Sequence, residues 1–311
     1  MPRKMIIPAA FAAASVLALA GCAGSGEPAD SSAAADGTID VVASTNVYGD
    51  IVETVGGEHV EVTSLIASFS QDPHEYEASA ADQLTVKNAQ LFVENGGGYD
   101  PFLDTLIDSA GNSAPVISAV TFSDGWTGDD PTEAVEGFNE HVFYAPSVMA
   151  AVADEIASQL GELDPDAADE FTANAKAFAD AIDADVTPIL DEVAASHSGE
   201  EFFVTEPVPV YLAEAAGLEN VTPDEFSEAV EEGNDVPPAT LLEALDLIGS
   251  GDVKVVFVNA QAAGAETTEV EDEAKDAGVP VIKASELLPD GDTYVSWMTD
   301  MATQIKDAVT Q

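Results

Sequence analysis

The stretch Val62-Thr63-Ser64-Leu65-Ile66-Ala67-Ser68-Phe69-Ser70-Gln71-Asp72-Pro73-His74-Glu75-Tyr76-Glu77 decides how this chain is read. Val60 to Ile66 alternates and then runs apolar, which predicts a strand. A polar loop follows. His74 comes next, behind Pro73 and ahead of a helix expected over residues 78–87. A histidine on the loop between a strand's carboxyl end and a helix occupies the edge where open α/β sheets bind ligands. Imidazole is the commonest metal ligand, and a proline before it restricts the backbone that aims it. A solitary loop histidine can equally be an exposed side chain with no task, so the rest of the chain has to choose between the two.

The same grammar repeats on both sides of that stretch. Residues 39–44 form a β-like run, and Thr45 or Asn46 is placed to cap the helix that ends near Gly56-Gly57. Strands are expected at residues 90–94 and 114–119, with a helix over residues 101–109 between them. An acidic, glycine-containing loop over residues 121–140, anchored by Trp126, leads to His141, and a helix begins at Pro146. Phe171, Ala175, Phe178, Ile182, Val186, Leu190 and Val193 then fall in steps of four and three, the single face of one long amphipathic helix with Pro188 as a possible kink. No second copy of this pattern follows, which argues for a spine between two lobes and against a coiled coil. After it come strands at residues 201–205, 254–258 and 279–283, and helices at 208–216, 237–248, 267–277 and 293–309. The expected fold is α/β, with two lobes, each a mostly parallel sheet flanked by helices, joined by one long spine helix.

The ends and the composition bound the function. Arg3 and Lys4 precede an apolar stretch over residues 6–20, which reads as a secretory signal too short to span a bilayer comfortably. It closes on Leu19-Ala20-Gly21-Cys22, which resembles a bacterial lipobox and implies lipidation of Cys22, the chain's one cysteine. The expected division is a signal at 1–21, a flexible tether at 22–37, an N-terminal lobe at 38–164, a linking helix at 165–197 and a C-terminal lobe at 198–311. The chain carries 59 acidic against 8 basic residues, a formal net charge of −51. Beyond the signal it has lysine but no arginine, so nothing neutralises phosphates and nucleic acid is excluded as a partner. Cations are drawn in and anions repelled. With 46% hydrophobic residues the acidity is a surface property of a folded protein, and adaptation to high salt is its economical cause.

Four donors then share one setting. His74, His141, Glu206 and Glu286 each follow an apolar or loop segment in the manner of sheet-edge loops, two from each half. A site assembled from them lies in the cleft between the lobes. Two imidazoles and two carboxylates suit one divalent transition metal ion, with zinc, manganese and iron all admitted. His59 reads as exposed at a strand start, and His197 as a partner of the last carbonyls of the long helix. Trp126 and Trp297 read as packing, and Glu75 and Glu77 as surface carboxylates.

The chain resembles the solute-binding lipoproteins of zinc- and manganese-importing ABC systems, the TroA-like group. The resemblance rests on Val41-Val42-Ala43-Ser44, Gly49-Asp50-Ile51-Val52, Asp72-Pro73-His74-Glu75-Tyr76-Glu77, Asn139-Glu140-His141-Val142, Leu163-Asp164-Pro165, Tyr211-Leu212 and the helix of Tyr294, in order from Ile39 to the end. It implies two lobes on one rigid helix, metal ligation by His74, His141 and Glu206, and delivery to an ABC permease and its ATPase from the outer face of the cytoplasmic membrane, by a lipid-anchored monomer that is no enzyme. The chain departs from the group at Lys283-Ala284-Ser285, where an aspartate is usual; Glu286 is taken as fourth ligand, with Asp290 and Asp292 in reserve. An acidic loop before His141, and Glu206 in place of a histidine, weakly favour harder-ligand metals such as manganese over zinc, while zinc binds the same donors more tightly by intrinsic order, so the geometry of the cleft decides. The competing functions are a metallohydrolase with an open metal position and a metal-stabilised surface adhesin.

Overall fold

Strand and helix alternate along the chain, and the strands that read as apolar throughout are buried on both faces. The computed structural model describes residues 37–311 except 69, 70, 72, 74, 75 and 263. In the first half β1 (Ile39–Thr45) leads to α1 (Asn46–Gly56), β2 (Val60–Ile66), α2 (Ala80–Asn88), β3 (Leu91–Glu94), α3 (Pro101–Ala110) and β4 (Val116–Ser118), followed by α4 (Pro146–Leu163). Then come α5 (Ala168–Ala181) and α6 (Thr187–His197). The second half runs β5 (Glu201–Val204), α7 (Val210–Ala215), β6 (Glu219–Asn220), α8 (Asp224–Glu231), α9 (Pro238–Gly249), β7 (Val253–Asn259), α10 (Ala265–Ala277), β8 (Val281–Ala284) and α11 (Tyr294–Val309). Two parallel four-stranded sheets result, in the orders β2-β1-β3-β4 and β6-β5-β7-β8.

The period of two along each strand assigns its side chains to two cores. Val41 and Ala43 of β1 enter a central cluster, while Val42 joins an outer one with Phe92 and Leu103. Phe202 and Val204 of β5 and Val255 and Phe257 of β7 point to the central cluster; Phe203, Val256 and Val258 point to a second outer one. Parallel strands covered on both faces need such near-continuous apolar sequence. The central cluster is continuous through both halves, from Val41 and Tyr48 through Phe143 and Phe171 to Phe257 and Met298.

The expected spine is helical from Ala168 to His197, and its periodic residues Phe171 to Val193 are buried as one face. The irregularity falls one turn before Pro188. Residues Ile182–Val186 form a π turn in which Thr187 N–H donates to Ile182 O. Pro188 has no N–H and its ring crowds the carbonyl four residues back, so the wider turn accommodates it without breaking the helix.

Direct bonds stitch the halves together. Asn46 Nδ2 donates to Leu288 O at 2.8 Å and its Oδ1 accepts from Leu288 N at 3.0 Å. Tyr144 Oη donates to Ser285 O at 2.9 Å, and Tyr294 Oη to Phe143 O at 2.9 Å. The expected signal, the expected lipidation site at Cys22 and the expected tether up to residue 36 lie outside the described residues, within which no helix is long and apolar enough to cross a membrane.

Two histidines differ from expectation. His59 is half-buried, edge-on to Phe171 and flanked by Asp164 at 3.4 Å and Glu170 at 3.5 Å. His197 meets a carboxylate: its Nδ1 is 3.1 Å from Glu200 Oε1, because the chain turns back at Gly199 and brings Glu200 under the ring. Trp297 is buried against Tyr144 and Tyr294, and Trp126 packs edge-on to Phe138, as packing residues.

Candidate metal centre between the two sheets

The register of the second sheet lines up three side chains. Val204 pairs with Phe257 and Asn259 with Ala284, so Glu206, Asn259 and Glu286 leave the carboxyl ends of β5, β7 and β8 side by side. Asn259 Nδ2 donates to Glu206 Oε2 at 2.6 Å and to Glu286 Oε1 at 2.7 Å. All three are buried, Glu206 at 4% and Glu286 at 1% exposure. Backbone donors fix the frame: Asn259 N donates to Thr205 Oγ1 and Glu286 N to Gln261 Oε1. Sequence reading found the two carboxylates but not the amide between them. Its signal was a polar residue closing an apolar, buried strand at its carboxyl edge.

The first half contributes His141, fully buried beside Tyr99 and Phe143. Asn139 sets its tautomer. The Asn139 Nδ2 donates to Pro207 O at 2.9 Å, so its Oδ1 is the atom that faces His141 Nδ1 at 2.8 Å. An amide oxygen only accepts, so Nδ1 carries a ring proton, and in the neutral ring the lone pair is on Nε2. Tyr211 Oη secures the same asparagine by donating to Asn139 O at 2.7 Å. The loop before His141 rests on Gly96-Gly97-Gly98, all at positive φ. A Cβ on Gly96 would lie 2.7 Å from Pro131 O, and one on Gly98 2.9 Å from Ala134 Cβ. Only glycine satisfies both the backbone and the close approach.

A residue that sequence reading passed over joins them. Glu231 ends α8 with its Oε1 3.7 Å from His141 Nε2, and Glu140, His141 and Glu231 can bring one donor atom each within 4.8 Å of one another. Burial first, then the neighbouring Glu140, Glu206, Glu286 and Glu228, push the Glu231 carboxyl up to about 9. Burial and the Glu286 carboxylate likewise hold the Tyr99 phenol well above its usual range. A cavity of about 660 Å³, lined among others by Glu140, Glu206, Glu231, Gln261 and Glu266, opens from the cluster. The lysine ion pairs among the described residues, Lys176–Asp180, Lys283–Glu271 and Lys306–Glu192, involve none of these side chains. The concentration of carboxylates around the buried His141 ring makes this the candidate site for a divalent metal ion among the described residues.

Residues 41–308 match the family described as ZnuA, the zinc-uptake complex component A, periplasmic. The chain belongs to this family. The manganese-binding lipoprotein MntA of Halalkalibacterium halodurans is 27% identical over 272 residues, 83% of this chain and 84% of that protein. The protein of the same description from Bacillus subtilis is 26% identical over 271 residues, 82% of each chain. A crystal structure of ZnuA superimposes with a TM-score of 0.71 at 23% identity, covering 87% of this chain and 99% of that one, which shows a shared fold.

Of the four ligands expected in this ZnuA-family chain, the structure brings Glu206 and Glu286 together through Asn259, while His141 has Glu231 at 3.7 Å, a carboxyl that also feels the charges of Glu206 and Glu286. His74, with Asp72 and Glu75, lies outside the described residues. Pro73 is buried and Glu77 exposed. Of the reserve residues, Asp290 is exposed, and Asp292 accepts from Ser296 Oγ at 3.3 Å ahead of α11.

Proposed function

We propose that this protein captures one divalent transition metal ion, manganese or zinc, outside the cytoplasmic membrane and hands it to an ABC permease and its ATPase. What supports the reading is the oriented, buried imidazole of His141, whose Nε2 faces the half-buried carboxylates of Glu140 and Glu231. His74, His141, Glu206 and Glu286 are the proposed ligands. Manganese is the preferred cargo of the two: a donor set dominated by carboxylate oxygen suits a harder ion, and both relatives named above are described as manganese-binding. A site filled by protein donors leaves no position for substrate water, so the role is binding and release, not hydrolysis. Cys22 is the proposed lipid anchor, and the chain acts as a monomer.

The test is a titration of the metal-free protein with Mn(II) and Zn(II), beside His74→Ala and His141→Ala. One ion per chain is expected, with stabilisation of about 2.7 kcal/mol when the free metal stands at a hundred times its dissociation constant. Either substitution should abolish the shift. Wild-type protein that binds neither ion, or a His141→Ala protein that binds as tightly as wild type, would overturn the reading.

A further inference from the structure

We propose that Glu231 is itself a direct ligand of the captured cation, supplied from the C-terminal end of α8 at the mouth of the site. This rests on the metal-capture reading and adds a donor to it. The distance is the first argument. At 3.7 Å, Glu231 Oε1 and His141 Nε2 are too far apart for a hydrogen bond. They have the spacing of two donors each about 2.1 Å from a shared ion, at an angle of roughly 120°.

The second argument is what Oε1 lacks. It is enclosed and accepts no hydrogen bond among the described residues, although the side chain as a whole is 18% exposed. An oxygen shut away from water without a hydrogen-bond partner is costly, and a cation arriving there would displace the carboxyl proton and meet the oxygen directly.

The third argument is position. Glu231 is the last residue of α8, at the negative end of the helix dipole, amid Glu140, Glu206, Glu228 and Glu286. A residue placed there for stability would be a lysine or an uncharged side chain. Nor does α8 depend on it: the helix is held through Phe226, packed edge-on to Phe203 of β5 with ring centres 5.2 Å apart. Glu231 therefore hangs from the far end of an anchored helix over the cavity, where an arriving ion meets it before the deeper carboxylates.

The chemical consequence is a larger, oxygen-richer shell. Four donors define a tetrahedron that zinc accepts readily; a further carboxylate raises the coordination number towards that of manganese. Glu231 is thus a determinant of which metal is held.

The experiment compares full-length wild type, Glu231→Gln and His141→Ala, each made metal-free. Mn(II) and Zn(II) affinities are measured by chelator competition, and Co(II) serves as a coordination probe by its visible absorption, intense when tetrahedral and weak at higher coordination. For Glu231→Gln, manganese affinity should fall at least tenfold and zinc affinity less than threefold. Its cobalt band should intensify, and the metal-free protein should melt no lower than wild type. Unchanged manganese affinity and an unchanged cobalt band, with His141→Ala unable to bind, would overturn the role of Glu231 alone. Normal binding by His141→Ala would overturn the metal-capture reading with it. A metal-free Glu231→Gln protein that melts well below wild type would assign Glu231 to the fold instead.

Discussion

Replacing Asn259 by alanine tests whether the carboxylate pair is positioned by the protein or only by the ion. The side chain makes two short bonds, 2.6 Å to Glu206 and 2.7 Å to Glu286, both to buried carboxylates. Hydrogen bonds to charged groups contribute about 1.5–3 kcal/mol each, so their joint loss removes about 3–6 kcal/mol. Water entering from the adjoining cavity restores part of this, leaving a net cost of about 2–4 kcal/mol in the metal-free protein. For a domain of this size that lowers the melting temperature by roughly 5–10 °C. Metal affinity should fall about 10–100-fold, the usual consequence of removing a group that orients ligands. Calorimetric melting of metal-free protein and chelator competition with Mn(II) read the two effects separately. Asn259→Ala protein that melted with wild type and bound manganese within a factor of about two would refute the reasoning. The carboxylates would then hold their geometry without the amide.

Three further outcomes follow from other parts of the molecule. Glu94 is fully buried, and its carboxyl is pushed up to about 9, first by burial and then by Asp100 and Asp104. A carboxyl raised on folding contributes stability at low pH that is lost as pH climbs from the unfolded value of about 4.5 through the folded one, at up to about 1.4 kcal/mol per unit. Glu94→Gln should therefore melt increasingly above wild type between pH 5 and pH 8, and a gap that shrinks with pH would contradict this. Gly96→Ala forces a side chain into φ +76° with its Cβ 2.7 Å from Pro131 O, and should cost about 2–4 kcal/mol in chemical denaturation. An unaffected midpoint would show that the loop yields freely. Finally, a net charge of −51 predicts that the melting temperature climbs with sodium chloride well beyond the range that screens an ordinary protein; equal stability at low and molar salt would remove the case for salt adaptation.

The two-sheet fold was legible because its strands are either alternating or apolar throughout, and because glycine or proline punctuates most of them. Residues 60–66 and 101–109 read cleanly for that reason. The short β6 and α8 were not read. In Asp224-Glu225-Phe226-Ser227-Glu228-Ala229-Val230-Glu231 only Phe226 is buried, and in so acidic a chain the segment resembles surface loop. That omission also hid Glu231. Glu206 and Glu286 could be proposed from sequence because each follows a strand. Asn139 and Asn259 could not, since an asparagine announces a turn as readily as a bridge between two acids, and only the register of neighbouring strands separates the two. The π turn before Pro188 was foreshadowed by the proline, but its form depends on the helix continuing on both sides.

The bonds from Asn46 to Leu288, Tyr144 to Ser285 and Tyr294 to Phe143, over one unbroken core, leave little of this protein free to open like a jaw. Parting the sheets would expose the central cluster to water. Loading is then confined to the loops at the sheet edges. Small-angle scattering should hardly distinguish empty from loaded protein, while amide exchange over residues 223–235 should. Under the proposed delivery to a permease, the transporter would have no relaxed, gaping form to wait for: it would have to read a change of a few residues on one rim, and the work of prising the cargo loose would fall to the membrane machinery on docking.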